Sequence, residues 1–393
     1  VTFVGIGARI SAERKLAGLT QPQLASRAGY SVSMVRAVEQ SREPASPGFV
    51  AAAAKALGIE PEQLTGAPYY DTLEEDGPLE GLTELRAILA EGTYVRQIEP
   101  PPLTQLVADL DAINRLYRND KGRIALARLP ILIRQLYGAL HAATGDADRG
   151  RVFSLLAHAY IQSERLTHRF GFMTLTLPSL DGLEWAAAQA DDPLYAVQAK
   201  PRRAKVLMYY GSNDVGLQLV EGALDQIGGD DPASSEVLGF SHLSGAIISA
   251  RDRRLDIARD HISEARKLAR HISGECDSYG TLFSQANTEI HSCAVELEAG
   301  DPGKAAREGS ALKLPDDVAP PRAGHHWQDT ARAWLLAGRT DNALKALNVA
   351  RRVAPQQTKL HPNVRETLYG IAAAERRRSD SLGAFARWVG VTL

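Results

Sequence analysis

The sequence predicts an all-α protein, a small helical head followed by a long body of repeated helix pairs. Three observations lead there. Between Leu19 and Gln40, apolar residues recur at helical spacing on both sides of a short glycine-containing turn. From about Leu103 onward, helix, short polar turn and helix follow one another repeatedly. Beyond residue 78 the chain lacks the period-two alternation of β-branched residues that a half-buried strand shows.

In the head, the stretch LTQPQLASRAGYSVSMVRAVEQ (Leu19–Gln40) reads as two short helices. Thr20 is placed to cap the first by accepting a backbone N–H that has no partner in the helix. Pro22 falls in the first turn, where its missing N–H costs nothing. Leu24, Ala25 and Ala28 make the apolar face, and Gly29 suits the left-handed residue just past the helix end. Ser31 caps the second helix, whose buried side is Val35 and Val38. Small residues at a tight crossing describe a helix-turn-helix, whose second helix enters the DNA major groove. By spacing, Val32, Ser33, Arg36 and Ala37 share the face opposite Val35 and Val38. Upstream, a helix over Ile6–Ala17 turns Ile6, Ile10, Glu13 or Arg14, and Ala17 inward or along its boundary. Downstream, Phe49–Leu57 ends at Gly58, and Glu60–Leu64 closes the unit with Pro61 in its first turn.

Residues Ile6–Thr65 resemble the Xre/Cro-type repressor domain through the pattern LTQxxLAxxAG-x-S-xxx-V-xx-VE. The resemblance implies a five-helix fold that binds double-stranded DNA as a homodimer. It places Val32, Ser33 and Ala37 at base-reading positions, without the family's frequent glutamines. Val32 and Ala37 can then meet only thymine methyls or apolar surface, leaving Arg36 to fork onto guanine, for about 1–3 kcal/mol of discrimination. Gln21 matches a phosphate-contacting position at a helix start. Arg42 offers another phosphate contact, opposed by the neighbouring Glu43. Arg14 and Glu39 stand where the family commonly keeps a structural ion pair.

Charge agrees modestly. The whole chain carries −2, yet residues 1–66 hold seven Lys/Arg against five acids. Just beyond, Asp71, Glu74, Glu75, Asp76, Glu80, Glu84 and Glu91 form an acidic run expected to face away from DNA.

The head is expected to span 1–66. Residues 67–102 form a linker and adaptor: Ala67–Pro78 has prolines, glycine and acids without an apolar period, Leu79–Glu91 is helical, and Pro100-Pro101-Pro102 interrupts. The body occupies 103–393. Its clearer pairs are Val152–Gln162 with a partner through Ala190, Ala199–Tyr210 with Val215–Ile227, and Val237–Ala250 with Leu255–Ile272. Phe283–Leu297 with Pro302–Leu312 and Trp327–Leu336 with Asn342–Val353 follow. Pro362–Arg377 and Leu382–Val389 are expected to cap the open apolar end. This body resembles tetratricopeptide repeats, although the Trp-Leu-Gly-Tyr signature is never complete; a HEAT-like or irregular α-solenoid is the alternative. A repressor-like head on such a body is similar to bacterial transcription regulators, including peptide-sensing receptors and actinobacterial relatives. That likeness implies dimer contacts in the body and a peptide or small-molecule effector in its groove.

With 393 residues the chain exceeds a single core, and its 44% hydrophobic and 23% charged content is that of ordinary folded protein. No apolar run approaches the ~20 residues that cross a bilayer. The first residues, VTFVGIGARISAERK, lack a signal peptide's apolar core, so a cytoplasmic protein is expected. Two cysteines, Cys276 and Cys293, make no disulfide framework. Abundant alanine, arginine and proline hint at a high-GC bacterial genome.

No Walker loop, Rossmann fingerprint, HExxH or G-x-S-x-G occurs, so no enzyme and no cofactor is expected. His291, Cys293 and the His325-His326-Trp327 cluster lack a tetrahedral ligand pattern, and no metal is expected. Arg376-Arg377-Arg378 reads as a solvated helix end. Effector candidates on repeat helices or their turns are Tyr160, Arg165, Tyr209, Asn213, Asn287, His291 and Trp327. The rival reading is a scaffold that recruits or sequesters a partner protein through its repeats.

Overall fold

The computed structural model describes residues 5–228, 231–374 and 380–392. They are α-helical throughout apart from turns, two short 3₁₀ segments and one isolated β-bridge between Cys276 and Phe283.

Five helices make the head: α1 (Ile6–Leu16), α2 (Gln21–Ala28), α3 (Val32–Glu39), α4 (Pro47–Leu57) and α5 (Pro61–Thr65). Thr20 and Gln23 cap α2 reciprocally, the Thr20 N–H donating to Gln23 Oε1 at 2.8 Å. Gly29 follows at φ +70°, a conformation that a side chain would strain. Ser31 Oγ accepts the Met34 N–H at 3.1 Å and starts α3. Helix α4 begins two residues earlier than its sequence suggests. Ser46 Oγ accepts the Phe49 N–H, and Pro47 fits the first turn. Ile10, Leu24, Val35, Phe49, Ala53 and Leu64 fill the core. Arg14 is buried on α1, whereas Ala17, expected at its boundary, is exposed past the helix end.

The adaptor is no free tether. Helices α6 (Tyr70–Glu75) and α7 (Leu82–Glu91) place Leu73, Leu82, Leu85 and Ile88 in the body's own core. That core continues through α8 (Leu103–Arg118) and α9 (Gly122–Ala142). Asp76, from the acidic run, is held 3.0 Å from Lys359 Nζ.

Five antiparallel pairs follow: α10 (Asp146–Arg169) with α11 (Met173–Ala187), α12 (Leu194–Tyr209) with α13 (Asn213–Leu224), and α14 (Pro232–Arg251) with α15 (Leu255–Leu268). Then come α16 (Gln285–Glu298) with α17 (Pro302–Ala311) and α18 (Pro320–Leu336) with α19 (Thr340–Val353). From α12 to α18, the first helix of each pair also packs on the first helix of the next. This is the stacking of a tetratricopeptide-like solenoid, with those helices forming the inner layer. Glycine permits close packing of α14 against the chain just before α16: a Cβ on Gly239 would lie 2.1 Å from the Phe283 ring.

The solenoid closes through α20 (Pro355–Leu360), α21 (Pro362–Ala374) and α22 (Asp380–Val389). Its end returns to its beginning: Thr72 Oγ1 donates to the Val389 carbonyl at 3.3 Å, and the Ile6 N–H donates to Glu366 Oε1 at 3.1 Å. The expected extension of α21 to Arg377, and Arg376-Arg377-Arg378 with it, lie outside the described residues.

One segment has no counterpart in the repeat pattern. Residues 272–284 dip inward between α15 and α16. Buried Glu236 accepts the Tyr279 N–H at 2.9 Å, the Ser278 N–H at 3.2 Å and the Thr281 hydroxyl at 2.7 Å. Arg202 donates to the Tyr279 and Gly280 carbonyls while pairing with Glu164, and Arg165 lies 3.4 Å from Asp277.

Candidate functional site

Two regions hold the candidate residues. The first is the outer face of α3. Ser33 and Arg36 are exposed there, and among the described residues Arg36 makes no side-chain hydrogen bond or ion pair. Ser33 Oγ lies 2.9 Å from Ser31 Oγ, so its hydroxyl is shared with the cap. Val32 is half-buried against the head core with Tyr30 and Met34.

Ala37 requires a correction. It was expected on the open face, but it is 9% exposed. The chain after α3 folds back over it, and the N–H groups of Arg42 and Glu43 both donate to the Ala37 carbonyl, at 2.8 and 3.3 Å. Arg42 itself is exposed.

Behind α3 lies the ion pair. Arg14 Nε and Nη2 donate to the two Glu39 oxygens at 2.6 and 2.8 Å, and Arg14 Nη1 donates to the Leu19 carbonyl at 2.7 Å. The hydrogen bond to Glu39 holds Arg14 above its ordinary pKa despite burial. Burial pushes Glu39 up, but the hydrogen bonds from Arg14 and Gln21 outweigh it and hold the carboxyl below its usual range. Gln21, read from the sequence as a phosphate contact, is half-buried and gives its amide to Glu39 at 2.9 Å.

The second region is a chamber of about 330 Å³ between head and body. Val50, Ala51 and Glu62 of α4 and α5 form its roof. The first helices of the pairs, α10, α12, α16 and α18, supply Arg165, Lys205, His291, Arg322, His325 and Asp329. The Arg165 and Arg169 guanidiniums flank the Tyr117 ring at 3.7 and 3.8 Å from its centroid. Burial alone would raise the Tyr117 phenol; the two arginines bring it down to about 8. Burial lowers Lys205 to about 8, and His325 and His361 to about 3, so both histidines are neutral at pH 7.

Of the residues expected to meet an effector, Arg165, Tyr209 and His291 line this chamber. Four do not. Tyr160 is buried in the core with its hydroxyl 3.0 Å from that of Tyr137. Asn287 is buried and its amide donates to the Leu282 carbonyl at 2.7 Å. Trp327 packs against the core of the last repeats, edge-on to His326. Asn213 donates to Asp252 Oδ1 at 3.2 Å and borders a separate cleft beside Tyr30 and Lys55. Lys205, Arg322 and His325 were not singled out as effector contacts. Their signal, polar side chains recurring once per repeat on first helices, reads from sequence like any solvated helix face.

The head is docked on the body beside that cleft. Lys55 Nζ donates to the Gly211 carbonyl at 3.0 Å, and the Arg253 guanidinium sits 4.6 Å above the Tyr30 ring.

Comparison with known proteins locates the first region. A family model described as a helix-turn-helix domain matches residues 6–65. No curated protein matches the chain. Two solved structures show a distant likeness. BtubC (BKLC) from P. vanneervenii is 14% identical over 70% of this chain and 96% of that one, with a TM-score of 0.35. PlcR from Bacillus thuringiensis, solved with the peptide PapR7 and DNA, is 13% identical over 87% of this chain and 99% of that one, also with a TM-score of 0.35. Likenesses at that level carry no functional argument. The chain thus carries, over residues 6–65, a helix-turn-helix domain set against a tetratricopeptide-like helical body.

Proposed function

We propose that this protein is a sequence-specific, DNA-binding transcription regulator of the cytoplasm, acting as a homodimer rather than as an enzyme. Residues 1–66 read DNA, 67–102 join head to body, and 103–393 sense an effector, a peptide or small molecule, in the chamber. One observation carries the reading most. Ser33 and Arg36 stand exposed on the second helix of the helix-turn-helix with Arg36 unengaged, while α4 and α5 of the same head roof the chamber. An occupant of the chamber therefore touches the DNA-reading domain directly. It shifts the head only through its different affinity for docked and released arrangements.

In this reading Arg36 contacts guanine, and Val32 and Ser33 touch base edges. Arg42 takes a phosphate, and Gln21 orients Glu39 besides facing the backbone. Two heads of a dimer engage half-sites about 34 Å apart or a multiple of it.

The test is selection of binding sites from random duplex DNA, followed by fluorescence anisotropy. Arg36→Ala should weaken the selected site about ten- to a hundredfold while weakening random DNA far less. Gln21→Ala should weaken both. An absence of any enriched sequence, with a stable protein partner recovered instead, rejects DNA reading and leaves the scaffold.

A further inference from the structure

We propose that the chamber between head and body binds a small amphipathic oxyanion, its charged end held by Lys205 and Arg322. This rests on the reading of the chamber as the effector site and names the class of effector.

The lining is divided. Phe240, Leu243, Ile247, Ile290 and Leu297 form an apolar wall. Lys205 stands at its border, its Nζ 5.2 Å above the Phe240 ring. Arg322 and His325 line the same chamber. A ligand with an apolar body and one ionised end matches that mixed lining, and 330 Å³ lies at the lower end of small-molecule sites, roughly 300–1,000 Å³.

Apart from the Phe240 ring beside Lys205, the two cations lack partners among the described residues. Both side chains are half-buried in the chamber wall, and a charge drawn out of water is ordinarily paired, because an isolated one loses hydration without compensation. Among the described residues neither Lys205 nor Arg322 makes an ion pair or a side-chain hydrogen bond, and Arg322 Nε is buried without an acceptor. The carboxylates nearby are engaged elsewhere. Glu164 pairs with Arg202, Asp277 with Arg165 at 3.4 Å, Glu275 with Arg118 at 3.0 Å, and Glu298 with Arg332 at 3.0 Å. Asp329 lies 3.6 Å from His325 Nε2. Burial pushes both Asp329 and Glu62, the remaining acids of the lining, toward their neutral forms. Lys205 also feels the positive charge of Arg322, which adds to burial in lowering its pKa. An oxyanion between them relieves both, through charge-assisted hydrogen bonds of the kind that arginine and lysine make with carboxylate or phosphate.

The probes are decanoate, decyl phosphate, decanol and decyltrimethylammonium. Each is measured by displacement of anilinonaphthalene sulfonate from the full chain, without DNA. Both anions should displace the dye at concentrations about tenfold or more below decanol, with the ammonium weakest. The stronger of the two anions tells whether carboxylate or phosphate is the better fit. The variant K205Q/R322Q should lose that preference, while Arg36→Ala keeps it. Equal displacement by decanol and decanoate on the native chain overturns the proposal, with no variant needed. So does an unchanged preference in a folded K205Q/R322Q. A chain that binds the anions but no DNA retains this inference and loses the regulator reading; the reverse result separates them the other way.

Discussion

The Lys55 ammonium, on the last turn of α4, donates to the Gly211 carbonyl 3.0 Å away, across the seam between head and body. With Arg253 over the Tyr30 ring and the Ile6 N–H on Glu366, it ties the head to the solenoid through a few partly solvated contacts. The exposed Lys55 and Arg253 contacts are each worth about 1 kcal/mol or less. The head should therefore undock locally without unfolding. Lys55→Ala with Arg253→Ala should speed hydrogen exchange at α4 and the facing turn of α12 by up to about tenfold, the amount 1.4 kcal/mol supplies. Amides of α1 to α3 should keep their protection. Unchanged exchange at α4 would mean that other contacts set the docking.

The Arg14–Glu39 pair predicts a larger effect confined to the head. Arg14→Met leaves a buried carboxylate without its guanidinium and should cost about 3–5 kcal/mol. Arg14→Met with Glu39→Leu should cost less than Arg14→Met alone, because no charge is stranded. The four tryptophans all lie in the body, so exchange at α1 and α3 is the suitable readout. Acid adds a sign. Glu39 is held below its ordinary value, so its contribution is complete above the unfolded pKa, about 4.3, and is lost as pH falls through the folded one. Glu39→Gln should be less stable at pH 7 and should lose less on going from pH 7 to pH 3 than the native head.

The head was legible because local chemistry decides it. Thr20, Gly29 and Ser31 act within four residues of themselves, and each does in the structure what its type requires. Helix pairs of the body were legible for the same reason, through polar turns between apolar periods. Ala37 was misread because helical spacing fixes only the direction of a side chain; the returning loop at Arg42 and Glu43 covers it. Tyr160 and Lys205 show the other limit. Both sit on first helices of repeats, one in the core and one on the chamber wall, and only the curvature of the whole solenoid separates those fates. The inward segment 272–284 carries no periodicity, and its anchors on Glu236, Arg165 and Arg202 come from three different helices.

Those anchors give a third prediction. Glu236 accepts three hydrogen bonds from one segment, two from backbone N–H groups that have little else to meet. Glu236→Ala should cost about 3 kcal/mol, since buried donors are left without an acceptor. Glu236→Gln keeps one acceptor oxygen and should cost about half as much. Limited proteolysis should then cut Glu236→Ala between residues 275 and 283, where the native chain resists. Equal resistance in native and variant would show that Arg165 and Arg202 suffice to hold the segment.

Gly239 tests how closely the inward segment 272–284 packs on α14. In the middle of a helix, glycine to alanine ordinarily gains up to about 1 kcal/mol from propensity. Here the added methyl would lie 2.1 Å from Cζ of Phe283, whose ring is fully buried and cannot step aside without moving its neighbours. Overpacking of that kind costs about 1–3 kcal/mol, which outweighs the propensity gain. Gly239→Ala should therefore lower the thermal midpoint of the body, followed through tryptophan fluorescence. Phe283→Leu alone should also destabilise, by removing ring volume from a filled site. Combined with Gly239→Ala it should destabilise by less than the sum, because the methyl then occupies space the ring has vacated. Simple additivity of the two changes would place Phe283 away from Gly239 and show that segment 272–284 does not rest on α14 there.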